Sequence, residues 1–218
     1  MAPKLYTTAL SPAGHSVLLT AEAINLKMEV IMIDPSKGEH LSPEFLKINP
    51  EHTFPTLDDN GFIIRESHVI NTYLVQKYSK DDYLYPQNLQ KRTLIDQCLY
   101  LDCGVIQPKM MAILEPIIKH SVKIIPKDKS DNLIQILSTL ETTLQGKKYL
   151  TGNNVTIADL NIIATISACS VLVPVAANRF PNITEWITRM QSLPYYEQAN
   201  GINFDIFVNF VKNKLMRS

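Results

Sequence analysis

Hydrophobic and polar positions change period twice along this chain. Leu5 to Thr8 reads as a short strand, Val17, Leu18, Ala21 and Ile24 mark one face of a helix, and Glu29 to Ile33 reads as extended again. Pro43 to Ile48 predicts a short helix. Thr56 to Leu57 and Phe62 to Ile64 predict a hairpin through Asp58-Asp59-Asn60-Gly61, and Val69, Ile70, Tyr73, Leu74 and Tyr78 predict a helix from Ser67 to Tyr78. The resulting order, β-α-β-α-β-β-α, fits a mixed sheet flanked by helices, with the hairpin as its antiparallel edge. Residues 80–86, Lys80-Asp81-Asp82-Tyr83-Leu84-Tyr85-Pro86, break the pattern and read as a linker. Beyond them nearly everything has helical period. The predicted organisation is an α/β domain over 1–79, a linker over 80–86 and an all-helical domain over 87–218.

Composition narrows the function. A chain of 218 residues with 45% hydrophobic content can give each of two small domains its own core. Equal numbers of basic and acidic residues, 21 and 21, offer no general attraction to nucleic acid or to an anionic membrane, and neither partner is expected. Met1-Ala2-Pro3-Lys4 leads straight into Leu5-Tyr6-Thr7-Thr8 without a signal-like apolar core, and no stretch reaches membrane-spanning length, so a cytoplasmic location is expected. Cys98, Cys103 and Cys169 make no Cys-x-x-Cys pair and no metal-ligand cluster with the five histidines; packing is the role expected of each. Thr156-Ile157-Ala158-Asp159 has capping-box spacing ahead of the apolar run Leu160 to Val173, with Asp in place of the more usual Glu. Trp186, on a helix from Ile183 to Leu193, is expected in the core. Phe204, Phe207 and Phe210 form a stripe that suits a core or the cover of a neighbouring site.

Candidate chemistry gathers in the first third. In Glu51-His52-Thr53-Phe54-Pro55, Pro55 removes a donor at the approach to a strand, which suits a turn and admits a cis bond. Such a bond would turn the Phe54 N–H and C=O outward, where an extended peptide could pair with them. In Arg65-Glu66-Ser67-His68, Glu66 and Ser67 fall at a helix start, where main-chain N–H groups favour a carboxylate and an acidic side chain can hold an ammonium group. A small peptide-like ligand with both groups at one end would satisfy the pair. Taken singly, Ser67 also reads as an N-cap, Glu66 as a solvated first-turn carboxylate and Pro55 as a plain turn residue.

The Ser11-Pro12 turn, the block Gly38-Glu39-His40-Leu41-Ser42-Pro43-Glu44-Phe45-Leu46-Lys47-Ile48-Asn49-Pro50, the His52-Thr53-Phe54-Pro55 turn, the Glu66-Ser67-His68 helix start and the Thr156 to Leu160 element together resemble the cytosolic glutathione transferases, the insect delta and epsilon classes most. The resemblance covers the whole chain. It implies a thioredoxin-like glutathione-binding domain followed by a helical bundle domain that lines a site for hydrophobic electrophiles, and a homodimer. It assigns Glu66 and Ser67 to the γ-glutamyl group, the main chain at Phe54 and Pro55 to the cysteinyl unit, and His40 and His52 to the glycyl end. It brings Ser11 to the sulfur, as a hydrogen-bond donor favouring the thiolate of a thiol whose ordinary pKa is about 8.5. Without the resemblance, Ser11 before Pro12 reads as an N-cap. Tyr6 is the rival donor, since other classes of the family use a tyrosine near the end of the first strand.

One departure from the family bears on activity. Delta and epsilon members often carry an arginine shortly after the Ser-Pro turn, where this chain has Ala13-Gly14-His15-Ser16. Gly14 is expected to weaken the first turn by up to about 1 kcal/mol relative to alanine, and His15 to make the local charge depend on pH. By position, Met110, Met111, Glu115, Ile118 and Phe207 are expected to line the electrophile pocket, with Pro108 and Pro116 bending or interrupting their helix. Glu115 reads equally as an exposed carboxylate or as a contact to a polar substrate group. The leading reading is a transferase joining glutathione to xenobiotics or lipid-peroxidation products. A carrier of apolar ligands with weak catalysis, and a transferase dedicated to one endogenous compound, are the alternatives.

Overall fold

The computed structural model describes residues 1–120 and 122–216. Its first part alternates β1 (Lys4–Thr7), α1 (Pro12–Ala23), β2 (Glu29–Met32), two 3-10 turns (Pro35–Lys37 and Glu39–Leu41), α2 (Pro43–Ile48), β3 (Thr56–Asp59), β4 (Phe62–Arg65) and α3 (Ser67–Tyr78). The strand order is β2-β1-β3-β4, with β1 parallel to β2 and β3 antiparallel to both of its neighbours. This is the mixed sheet that the element order predicts, in the thioredoxin-like form that the resemblance implies. Asn60 and Gly61, both at positive φ (57° and 92°), close the β3–β4 hairpin, and the Gly61 N–H donates to Asp58 Oδ1 at 2.7 Å. Asp59 then anchors α3 to the hairpin. Burial opposes its charge, but bonds from Lys77, Tyr73 and Tyr78 outweigh that and hold its pKa at about 2.

From Leu89 onward the described chain is helical: α4 (Leu89–Leu101), α5 (Gln107–His120), α6 (Lys127–Leu144), α7 (Ile157–Leu172), α8 (Pro181–Gln191) and α9 (Ile202–Met216). Single π-helical turns, Asp102–Ile106 and Glu197–Gly201, lead into α5 and α9. Pro108, which has no N–H to give, lies just past the first of these, so the α4–α5 rod adjusts its hydrogen bonding there while Pro116 is carried inside α5. Every residue of α7 from Ile157 to Cys169 is buried. The capping box forms: Asp159 accepts the Thr156 N–H (2.9 Å) and hydroxyl (3.0 Å), and also the Leu150 N–H (2.9 Å) and the indole N–H of the buried Trp186 (3.0 Å). Leu84 and Tyr85, within the segment read as a linker, pack into the helical core. Of the three cysteines Cys169 is buried and Cys98, half-buried, packs against the helical core; Cys103, also half-buried, has its thiol 3.6 Å from the Tyr100 carbonyl oxygen.

A small core of Leu5, Val17, Leu57, Ile64, Ile70 and Leu74 joins the sheet to α1 and α3, and a larger one fills the helical part. Helix α1 belongs to both, because Leu19 enters the larger core. Its first turn explains the departure noted above. A Cβ on Gly14 would fall onto Thr7 Oγ1 and within 3.3 Å of Thr7 Cβ, so the missing side chain is what lets α1 approach β1. His15 is buried too, with Nε2 3.0 Å from the Ala9 carbonyl oxygen and Asn200 against the ring. Burial depresses its pKa to about 4, against the raising effect of those two bonds. The imidazole is therefore neutral at physiological pH, and the expected pH-dependent charge is absent.

Two predictions follow from this packing. Gly14→Ala should destabilise the fold by about 1–3 kcal/mol through overpacking, against the sign of helix propensity, and urea unfolding should show the loss largely relieved in a Thr7→Ala background. For His15, the unfolded chain titrates near 6.5 and the folded chain near 4, so the unfolded state binds more protons in between. Stability should be complete above pH 6.5 and fall as pH drops toward 4, by about 3 kcal/mol from this group. His15→Gln should flatten that acid limb in unfolding curves taken at pH 7.5 and 4.5; an unchanged slope would assign it to other groups.

Candidate functional site

Sheet topology collects the candidate residues at one edge. Tyr6 and Arg65 both pair with Thr56, and β1 and β4 run the same way, so both end at that edge while β3 begins there. Ser11 follows β1, Pro55 immediately precedes β3, and Glu66-Ser67 follows β4. The parallel partner β2 ends beside them, Thr7 opposite Met32, and delivers the turns that carry His40. Helices α1 and α3 leave this edge side by side. The Asn71 amide, one turn into α3, donates to Ser16 Oγ in α1 (3.2 Å) and to Asn161 Oδ1 in α7 (3.0 Å).

Ser11 is the N-cap of α1, with Pro12 at the first helical position. Its Oγ accepts the Gly14 N–H at 3.0 Å, which leaves its own proton free to donate outward. Tyr6 lies elsewhere. It alternates with Leu5 and Thr7, which face α1, and packs its ring on Phe45 of α2 at 5.7 Å.

The Phe54–Pro55 peptide bond is cis, and neither the N–H nor the C=O of Phe54 takes a hydrogen bond among the described residues. Asn49 braces the turn from behind, donating to the Thr53 carbonyl (3.1 Å) and to Thr56 Oγ1 (2.9 Å). The Phe54 ring bridges Phe45 (5.6 Å) and His40 (6.3 Å), and His40 meets His52 edge-on at 5.9 Å. An Arg65–Glu51 ion pair at 2.8 Å ties this turn to the end of β4.

Glu66 occupies the N-cap position of α3 at φ 69°, a left-handed conformation unfavourable for a non-glycine residue, and its exposed carboxylate makes no capping bond. Ser67 is the first helical residue and is buried, so it is not the N-cap. Its Oγ lies 3.5 Å from His68 Nδ1, and His68 Nε2 lies 2.9 Å from Asp102 Oδ2, a wholly buried carboxylate that also accepts from Gln107 (3.1 Å) and Thr165 (3.1 Å). His68 and Asp102 carry no role in the sequence reading. Little in the local sequence marks Asp102, because two of its three partners, His68 and Thr165, lie 34 and 63 residues away.

Next to Ser11 opens a cleft of about 660 Å³, lined by Thr8 to Leu10, by Met32 to Ser36, by Ile118 of α5, and by Ile206, Phe210 and Lys214 of α9. The expected pocket is corrected here. Met110 and Phe207 point into the helical core and are buried; α5 turns Met110, Ile113, Leu114 and Ile117 inward, and α9 turns Phe207 and Val211 inward. Ile118 alone of the expected residues lines the cleft, while Met111 is exposed and Glu115 is an exposed partner of Lys119 at 2.6 Å. The aromatic stripe does reach the cleft, through Phe210.

Comparison with known proteins agrees with this geometry. Residues 1–76 match the family model "Glutathione S-transferase, N-terminal domain" and residues 105–194 match "Glutathione S-transferase, C-terminal domain". Glutathione S-transferase 1 of Manduca sexta is 33% identical over 217 residues, covering 99% of this chain and all of its own. The solved epsilon-class glutathione S-transferase of the housefly Musca domestica superposes with a TM-score of 0.94 at 38% identity, covering 97% of this chain and 98% of its own. A glutathione transferase homologue of Drosophila mojavensis, solved with bound glutathione, superposes at 0.94 with 36% identity, over 98% of this chain and 97% of its own. With both halves matched, the site edge built as described and full-length relatives in several insects, the chain belongs to the glutathione S-transferase family.

Proposed function

We propose that Ser11 activates the thiol of glutathione for attack on hydrophobic electrophiles held in the adjoining cleft. The observation that carries this reading is the Ser11 hydroxyl, whose oxygen is occupied by the Gly14 N–H while its proton is left to donate, at the positive end of α1 and one residue from the cleft wall at Leu10. A donated hydrogen bond and the helix terminus both favour sulfur as thiolate, the nucleophilic form. No covalent bond to Ser11 is formed. The sulfur attacks the electrophilic carbon, its proton having gone to solvent, and the leaving group or the π electrons take up the displaced charge.

The remaining assignments rest on complementary chemistry. The Glu66 carboxylate suits the α-ammonium of a γ-glutamyl group, and the N–H and hydroxyl of Ser67 at the start of α3 suit its carboxylate. The unpaired N–H and C=O of Phe54 suit antiparallel pairing with the cysteinyl unit. His40 and His52, which meet edge-on beside the Phe54 ring, suit the glycyl carboxylate. The segment Ala13-Gly14-His15 packs against β1 and the loop before α1, so its departure from the family answers a packing need and does not favour a carrier of apolar ligands. No helix among the described residues is long and apolar enough to cross a membrane, and work in the cytoplasm is the proposed setting.

A homodimer is part of the same proposal. Phe62, Val69 and Tyr100 are exposed apolar residues, and Val69 and Tyr100 flank a groove of about 490 Å³ between α3 and α4. Glu66 reaches the same groove, so a partner seated there would adjoin the glutathione site.

Ser11→Ala should lower turnover of a generic aryl halide by about 10- to 100-fold, the loss of one hydrogen bond to a charged atom. Glutathione affinity should hardly change, and the bound thiol should titrate closer to about 8.5. Ser11→Asp keeps a cap acceptor but has no proton to give at neutral pH; it should be as inactive as alanine yet melt near the parent. Full turnover in both variants would remove Ser11 from the mechanism. For the dimer, sedimentation should show two chains for the parent and a shift toward one for Tyr100→Glu.

A further inference from the structure

Lys214 gives the cleft a chemical bias that an apolar pocket would lack. The residues Ile206, Phe210 and Lys214 recur every fourth position and line one wall together, the ammonium standing 5.7 Å from the centroid of the Phe210 ring. Lys214 is half-buried, and among the described residues no carboxylate comes within ion-pairing distance of it. The acid that shares the cleft is already engaged. Asp34 accepts the Ser36 N–H (2.9 Å) and hydroxyl (2.6 Å), and Lys37 sits 3.4 Å from its other oxygen. A cation drawn partly out of water beside Met32, Ile33, Ile118 and Phe210 is stabilised by whatever anion enters with the ligand.

The geometry also says where on the ligand that anion belongs. The turn before α9 lies against α1, with Asn200 facing His15, and His15 holds the Ala9 carbonyl of the loop that carries Ser11. The start of α9 is therefore the end near the sulfur, and Lys214, eight residues beyond Ile206, lies about 12 Å farther along the helix. We propose that the cleft selects elongated apolar electrophiles carrying a carboxylate at the end remote from the reacting carbon, with Lys214 as the residue that recognises it. This deepens the transferase reading given above and rests on it. A chain with an enone or enal at one end and a carboxylate at the other is the substrate class that fits. The sulfur forms a bond to the β-carbon, the π electrons move to the carbonyl oxygen, and a solvent proton completes the adduct; the carboxylate is unchanged.

The test is a matched pair of medium-chain enones, one ending in a carboxylate and one in its methyl ester, compared by kcat/KM in the parent, Lys214→Met and Lys214→Arg. The parent should favour the acid about 10-fold, the ratio should collapse to about one in Lys214→Met, and Lys214→Arg should keep it. An acid-to-ester ratio that is the same in parent and Lys214→Met overturns the inference. Conjugation of a generic aryl halide is run alongside, so that an active enzyme without acid preference defeats this inference alone. If nothing is conjugated, the transferase reading is what has failed, and titration calorimetry with dodecanoate and dodecanol still decides the present point. Tighter binding of the acid by the parent, lost in Lys214→Met, supports it, and equal binding of both overturns it.

Discussion

The Asn71 amide is the junction on which the site depends. It gives one hydrogen to Ser16 and the other to Asn161, joining α1, α3 and α7 where all three are buried. Ser16 lies five residues after Ser11 and Asn71 four residues after Ser67, so the bond fixes two helix N-termini at a common level beside the sheet edge. Leaving those amide N–H groups unpaired in the interior would be costly, and the two bonds leave little freedom for either helix to slide. The Gly14–Thr7 contact sets the depth at which α1 lies on β1, and the Asn71 bonds set its register against α3.

What results is a site made more of main chain than of charged side chains. Two helix starts, the open peptide groups at Phe54 and a single strained glutamate are what this edge offers to a ligand, with little formal charge. Glu66 at φ 69° holds an unfavourable backbone conformation without a capping bond in return, and such strain is kept where the surrounding structure determines it. Behind it, the Ser67–His68–Asp102 contacts join the start of α3 to the helical part through the π-helical turn before α5. The proton chemistry stays simple because burial keeps His15 neutral, leaving its ring as a brace for the loop that presents Ser11.

The cleft is a product of the interface between the two halves. The β1–α1 loop and the segment after β2 give one wall, and one face each of α5 and α9 gives the other. Neither half encloses the volume alone. Its lining is largely apolar, with Lys214 of α9 at one end, so the proposed division of labour gives choice among electrophiles to α9 and activation of sulfur to α1.

Much of this was legible in the chain because it rests on local rules. The Asn60-Gly61 hairpin, Pro12 behind Ser11, Pro55 before β3, and the Thr156–Asp159 capping box each depend on residues a few positions apart. The same holds for the switch from strand to helix periodicity and for the arrival of Glu66-Ser67 at a helix start. Local rules do not choose which face of a helix meets which neighbour. That choice placed Met110 and Phe207 in the core and brought Phe210 and Lys214 to the cleft, a rotation of about 100° per residue that periodicity alone leaves free on helices with apolar residues on several sides. Likewise Gly14 reads as a weak helix former and His15 as a titrating group until β1 and Asn200 are packed against them. The sequence by itself determined the elements, their order and the residues at their ends; tertiary structure decided burial, protonation and facing, because each of these depends on contacts between residues far apart in the chain.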